Sequence, residues 1–189
     1  MLSWWPQWFG TKRCVLCHDS AAAGLCAACR ADLQGLRLDA ANVCPTCAAV
    51  SVGGVMCGAC QQKPPPFEKL WASVYYEPPL SAMLHAFKHQ ADLSLLPALA
   101  DMMRGHPPPW LAEAGIDAVL AMPLSKVRRL YRGFNQADEL AARLAKDYGW
   151  AILPRDTVFR RPHAPQSTLD RKARQRNVRQ AFAVQNNLA

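Results

Sequence analysis

The chain has no cysteine after residue 60. It also has no apolar run near the ~20 residues that a membrane-spanning helix needs. Its first residues, Met1-Leu2-Ser3-Trp4-Trp5-Pro6, show no charged segment ahead of an apolar run and no small-residue cleavage site. They make a poor secretory signal, so a cytoplasmic address is expected, where thiols stay reduced. Acidic side chains are scarce in the last third. Residues 121–189 hold fourteen Lys/Arg against five Asp/Glu, whereas residues 1–120 hold eight against nine. The whole net charge of +8 therefore comes from the C-terminal part. A surface of that sign expects phosphate, whether as nucleotide, pyrophosphate or nucleic acid.

The cysteines that are present fall into four C-x-x-C pairs: Cys14/Cys17, Cys26/Cys29, Cys44/Cys47 and Cys57/Cys60. Two residues between thiols let both sulfurs of a tight turn face one tetrahedral ion. Eight residues separate Cys17 from Cys26 and nine separate Cys47 from Cys57, room for a short hairpin in each case. Sequential pairing then gives two zinc sites of four cysteines each, a double zinc ribbon. Cross-braced pairing, disulfides, an iron–sulfur cluster and redox C-x-x-C chemistry are the alternatives. His18 follows Cys17 directly and reads as a bystander to a full set of thiols. The segment is poor in large apolar residues, so metal binding is expected to supply its folding energy. Trp4, Trp5, Trp8 and Phe9 read as an aromatic flap packed on this module.

Lys63-Pro64-Pro65-Pro66 is a stiff linker. It divides the chain into residues 1–63, a flap with the double ribbon, and residues 64–189, a second domain. In the second domain Leu70–Tyr76 reads as a strand, and Pro78–His89 as a helix with Leu80, Met83, Leu84 and Phe87 on one face. A second helix is expected over Leu93–Met103. A strand over Asp117–Met122 is ended by Pro123. Asn135–Tyr148 reads as a helix that Gly149 stops, with Leu140, Ala141 and Leu144 inward and Asp138, Glu139, Arg143 and Lys146 outward. Further strands are expected at Trp150–Leu153, at Val158-Phe159 and from Ala181 to Val184. Alternating strands and helices give an α/β class with a mostly parallel sheet.

Two segments carry candidate chemistry. Met122 to Gln136 leaves a strand, passes through a basic loop and enters a helix. Lys126, Arg128, Arg132, Gly133, Asn135 and Gln136 are the candidate phosphate or pyrophosphate ligands, with backbone N–H groups of the next helix favouring an anion. The plain alternative is a basic turn with Asn135 as an N-cap. Arg160 to Asn177 is long, polar and cationic. It reads as a mobile loop over a charged substrate, with Arg160, Arg161, Gln166, Arg174 and Asn177 as its candidate contacts. A basic linker is the alternative there.

Together these residues resemble the ComF family, whose members join an N-terminal double zinc ribbon to a domain similar to type I phosphoribosyltransferases. The specific motifs are Arg132-Gly133-Phe134-Asn135-Gln136, then Gln166-x-x-Leu169, Arg174-x-x-Asn177-Val178 and Ala181-Phe182. Pro123-Leu124 fits as well, and His163 stands where the family more often has threonine. The resemblance implies handling of incoming single-stranded DNA during natural transformation, alongside competence or other DNA-processing proteins. It also implies a site for phosphoribosyl pyrophosphate with magnesium. The family pattern continues into paired aspartates and a Thr-Thr-Gly loop that binds ribose and 5-phosphate. Neither Asp-Asp nor Thr-Thr-Gly occurs in these 189 residues. The expectation is therefore an incomplete phosphoribosyltransferase-like domain, inactive as it stands, with an exposed sheet edge. A phosphoribosyltransferase completed by further residues and a zinc-stabilised interaction module are the alternative functions.

Overall fold

The computed structural model describes residues 13–21, 24–164 and 166–185. The expected aromatic flap of Trp4, Trp5, Trp8 and Phe9 lies outside them. Seven helices and four short strands occur among the described residues. The chain forms two compact units. One comprises residues 1–85 and 93–109, the other residues 86–92 and 110–189.

In the first unit, each half of the cysteine module is built the same way. Cys14 N–H donates to Asp19 O and Cys44 N–H to Ala49 O, both at 2.7 Å. Each bond closes a tight turn around the first C-x-x-C, braced by single bridges between Arg13 and Ser20 and between Val43 and Val50. The second C-x-x-C of each half opens a helix instead of a second hairpin knuckle. Cys26 caps α1 (Ala27–Gly35), and Cys57 precedes α2 (Gly58–Gln62). Gly54 holds φ +64°, and a Cβ there would sit 3.0 Å from the Ala40 carbonyl oxygen, so glycine is required.

The expected strand over 70–76 is absent. Its residues attach to the module by separate bonds, from Leu70 N–H to Thr46 O, Leu38 N–H to Ser73 O and Tyr75 N–H to Leu36 O. Only one bridge forms, between Arg37 and Val74. Aromatic and β-branched content favours extension, but no partner strand runs alongside to make a ladder. Trp71 instead lies 5.2 Å from the His106 ring, tilted by 49°, and donates its indole N–H to the His106 carbonyl. Helix α3 (Leu80–His89) buries Leu80, Met83 and Phe87. Helix α4 (Leu96–Gly105) follows a single 3-10 turn and buries Ala98, Leu99 and Ala100.

The second unit contains a parallel pair. Strand β1 (Ala118–Val119) pairs with β2 (Ala151–Ile152). Between them run α5 (Lys126–Arg132) and α6 (Gln136–Tyr148). The expected basic loop after Pro123 is thus largely a helix, begun at Ser125 and ended by Gly133 at φ +82°. Gly149 ends α6 at φ +74° as expected. Strand β3 (Val158–Arg160) pairs antiparallel with β4 (Phe182–Val184). The hairpin encloses α7 (Arg171–Asn177), capped by Asp170, whose carboxylate accepts from Ala173 N–H at 2.8 Å. Phe87 and Phe134 meet edge to face at 5.7 Å. The architecture is α/β with two four-cysteine clusters in the N-terminal part.

Candidate metal centres and anion-binding site

The eight thiols gather into two groups, Cys14/Cys17/Cys26/Cys29 and Cys44/Cys47/Cys57/Cys60. The sulfurs within each group lie within 4.8 Å of one another. Pairing is sequential. Cys17 and Cys26 sulfurs lie 3.6 Å apart, and Cys47 and Cys57 sulfurs 3.7 Å apart. Disulfide bonding needs a separation of about 2.05 Å. A tetrahedral ion with metal–sulfur bonds of about 2.3 Å puts its ligands about 3.8 Å apart. The donor set therefore fits a thiolate-loving metal. His18 belongs to neither group.

The electrostatics of the thiols agree with this. Burial raises the pKa of Cys14, but N–H groups of Cys17, Cys26 and Leu16 outweigh it and hold the thiol at about 6. The Cys57 N–H does most to lower Cys44, also to about 6. Burial and the neighbouring thiols push Cys60 up to about 12 and raise Cys29. Four crowded sulfurs cannot all ionise by themselves, and a divalent cation removes that conflict.

The second site surrounds α5. Its cations leave the helix on two sides. Lys126 and Arg129 line an open cleft of about 580 Å3 together with Leu124, Asn135, Asp138, Arg155 and Phe159. Arg128 turns elsewhere and donates to the His163 carbonyl at 3.4 Å. Arg132 and Arg160 are both held below the ordinary arginine range, first by burial and then by the charge of Arg128. Arg128 thus repels both of the other guanidinium groups, which marks a place suited to an anion. Arg160 also lies 5.5 Å from the centre of the Phe182 ring.

The remaining candidates take supporting positions. Asn135 is buried and caps α6, accepting from Ala137 N–H at 3.3 Å and donating to Met122 O at 3.1 Å. Gly133 is the left-handed end of α5, and Gln136 is the first residue of α6. Arg174 donates to Gln166 O at 2.8 Å and Asn177 to Ala164 O at 3.0 Å, so both tie α7 back to the residues that precede it. Arg161 is exposed, with its N–H bonded to Ala181 O at 2.9 Å.

No protein-family model matches the chain, and no solved structure matches it. Curated relatives do. DNA utilization protein YhgH of Salmonella typhimurium is 32% identical over 180 residues, which is 91% of this chain and 77% of the relative. YhgH of Escherichia coli K12 is 31% identical over 179 residues, with the same two shares. Competence protein F of Haemophilus influenzae is 28% identical over 192 residues, 93% of this chain and 78% of the relative. The chain belongs to the ComF family.

In this ComF-family chain part of the cleft is made by residues that carry no sequence motif. Asp138 was expected to face outward, yet it is only 8% exposed. Its Oδ1 accepts from Asn135 at 2.8 Å, and its Oδ2 lies 3.1 Å from Arg155 Nε and 3.7 Å from Arg129 Nη2. That oxygen accepts no aligned hydrogen bond, so the attraction to the two arginines is mainly coulombic. The outward expectation came from helical periodicity, which ignores that a capping asparagine draws in an acceptor three residues on. Arg155 and Phe159 carried no motif and were legible only through the folding of β2 and β3 beside α6.

Proposed function

We propose that this ComF-family chain handles single-stranded DNA during DNA uptake, in the cytoplasm and alongside other DNA-processing proteins. Its relatives are named for competence and for DNA utilization. The observation that carries the reading is α5. Lys126, Arg128, Arg129 and Arg132 are spaced along seven residues that include no acid, and Tyr131 among them is 96% exposed. Cations with an unpacked aromatic ring suit a flexible phosphate backbone with stackable bases. On this reading residues 64–189 seek phosphate, and residues 1–63 form a metal-held module that contacts DNA or a protein. Lys126, Arg128, Arg132, Gly133, Asn135 and Gln136 shape the anion site, and Arg160, Arg161, Gln166, Arg174 and Asn177 shape the segment beside it.

Zinc is the proposed metal for both cysteine groups, because four thiolates at tetrahedral spacing suit it and a closed site needs no open position. Metal analysis of the purified protein tests this. The DNA reading is tested by titrating a labelled single-stranded oligonucleotide at two salt concentrations. Binding that weakens steeply with salt is expected, since released counterions drive it. No binding at low salt would leave the zinc-stabilised interaction module as the better account.

A further inference from the structure

The cleft beside α5 has more in it than charge. Phe159, in β3, lines it and is 44% exposed. Leu124 and Val158 add apolar lining, while Lys126, Arg129 and Arg155 supply cations. Such a cleft is within the ~300–1,000 Å3 range of small-ligand sites. It opens after β1 and around Arg155, beyond the carboxyl ends of a parallel pair, where open α/β sheets place ligands.

Arg155 extends from a loop, and its side chain is 59% exposed, so it would ordinarily wander in solvent. Asp138 opposes that. It is fixed by Asn135, which is fixed in turn to the Met122 carbonyl. A buried carboxylate anchored in this way restrains the guanidinium 3.1 Å from it while leaving the rest of the fork open.

We propose that this cleft seats one nucleotide of a single DNA strand, with the base against Phe159 and its phosphate on Lys126 and Arg155. Asp138 is the positioning residue for Arg155 and Arg129. The inference rests on the DNA-handling reading. It adds a defined seat for one base at Phe159, in a cleft that none of Tyr131, Arg128, Arg132 and Arg160 lines.

The test uses the whole chain and two oligomers of equal length and label, one of thymidine nucleotides and one abasic. Stacking of one base predicts that the base-bearing oligomer binds about 5- to 100-fold more tightly. Phe159→Ala should lower that ratio at least about 5-fold, leaving what Tyr131 contributes, while abasic binding stays unchanged. Arg155→Ala should weaken both oligomers alike and lower the salt slope by about 1. Arg143→Ala, on the exposed side of α6, should change neither. Phe159 and Arg155 are both solvent-facing, so their variants are expected to fold, and matched thermal melts confirm it. Equal wild-type binding of the two oligomers would overturn the base site but leave the DNA reading intact. An undiminished preference in Phe159→Ala would overturn it too, as would displacement by equimolar thymidine monophosphate, which marks a free-nucleotide site. Binding of neither oligomer at low salt would remove both readings.

Discussion

Asn135 Nδ2 lies 2.8 Å from Asp138 Oδ1, and both side chains are buried at the first turn of α6. The same amide reaches back 3.1 Å to the Met122 carbonyl. One asparagine therefore caps a helix, satisfies one oxygen of a buried carboxylate and ties down the segment that leaves β1. The motif residue most suggestive of ligand contact does its visible work inside the fold.

Replacing Asn135 by Ala removes the cap, leaves the buried Asp138 Oδ1 without its donor and frees the Met122 carbonyl. A loss of about 2–4 kcal/mol in urea unfolding is expected, combining a lost cap with unsatisfied groups. Asn135→Asp keeps the capping oxygen but faces Asp138 with a second carboxylate. It should be no less damaging at neutral pH, and equal stability to wild type would contradict the network.

Metal removal should unfold the cysteine module. Two ions per chain are expected from the two groups of four thiols. Cys14→Ser should lower the content to one ion, and Cys44→Ser likewise, since each group closes on its own four sulfurs. Chelation should abolish the far-ultraviolet signal of α1 and α2, because metal binding is the folding energy of such a segment. Unchanged structure in strong chelator would falsify the metal assignment.

Tyr131 stands almost entirely in solvent between Arg129 and Arg132. If it stacks on bases, Tyr131→Ala should weaken oligonucleotide binding by about 1–3 kcal/mol without changing the salt slope. Arg128→Ala should instead reduce the slope by about 1. Fluorescence anisotropy across a salt series separates the two behaviours.

Phe87 is fully buried and meets Phe134 edge to face. Phe87→Ala should cost about 3–5 kcal/mol, measured by denaturant titration, because a large ring leaves a cavity. Phe134 belongs to the Arg-Gly-Phe-Asn-Gln motif, so part of that motif's worth is packing.

Much of this was legible from residues alone, for identifiable reasons. Thiol spacing reports geometry almost directly, so the groupings of Cys14 to Cys29 and of Cys44 to Cys60 could be anticipated. Helix α6 announced itself by periodicity and by Gly149. Helix α5 did not, because its four basic residues between Pro123 and Gly133 have the composition of a cationic loop and outweigh the short helical spacing of Val127, Leu130 and Tyr131. Residues 70–76 had the composition of a strand, but a strand is made by its neighbour, which no local window contains. Asp138 was misplaced because its burial depends on Asn135, Arg129 and Arg155 together. The cleft was invisible for the same reason, since β2, β3 and α6 assemble it from separate parts of the chain.

The two cysteine clusters amount to a paired experiment within one molecule. The spans between their C-x-x-C pairs are eight and nine residues, yet each starts from the same 2.7 Å turn bond around its first C-x-x-C. Loop length there is free to vary, since one added residue changes closure entropy only slightly. The connecting spans, Val50, Val52 and Val55 among them, are consequently where this module has latitude to acquire new surface without disturbing its metals. Val52 is already 84% exposed. An engineered insertion between Cys47 and Cys57 should be accepted, whereas one inside any C-x-x-C should not.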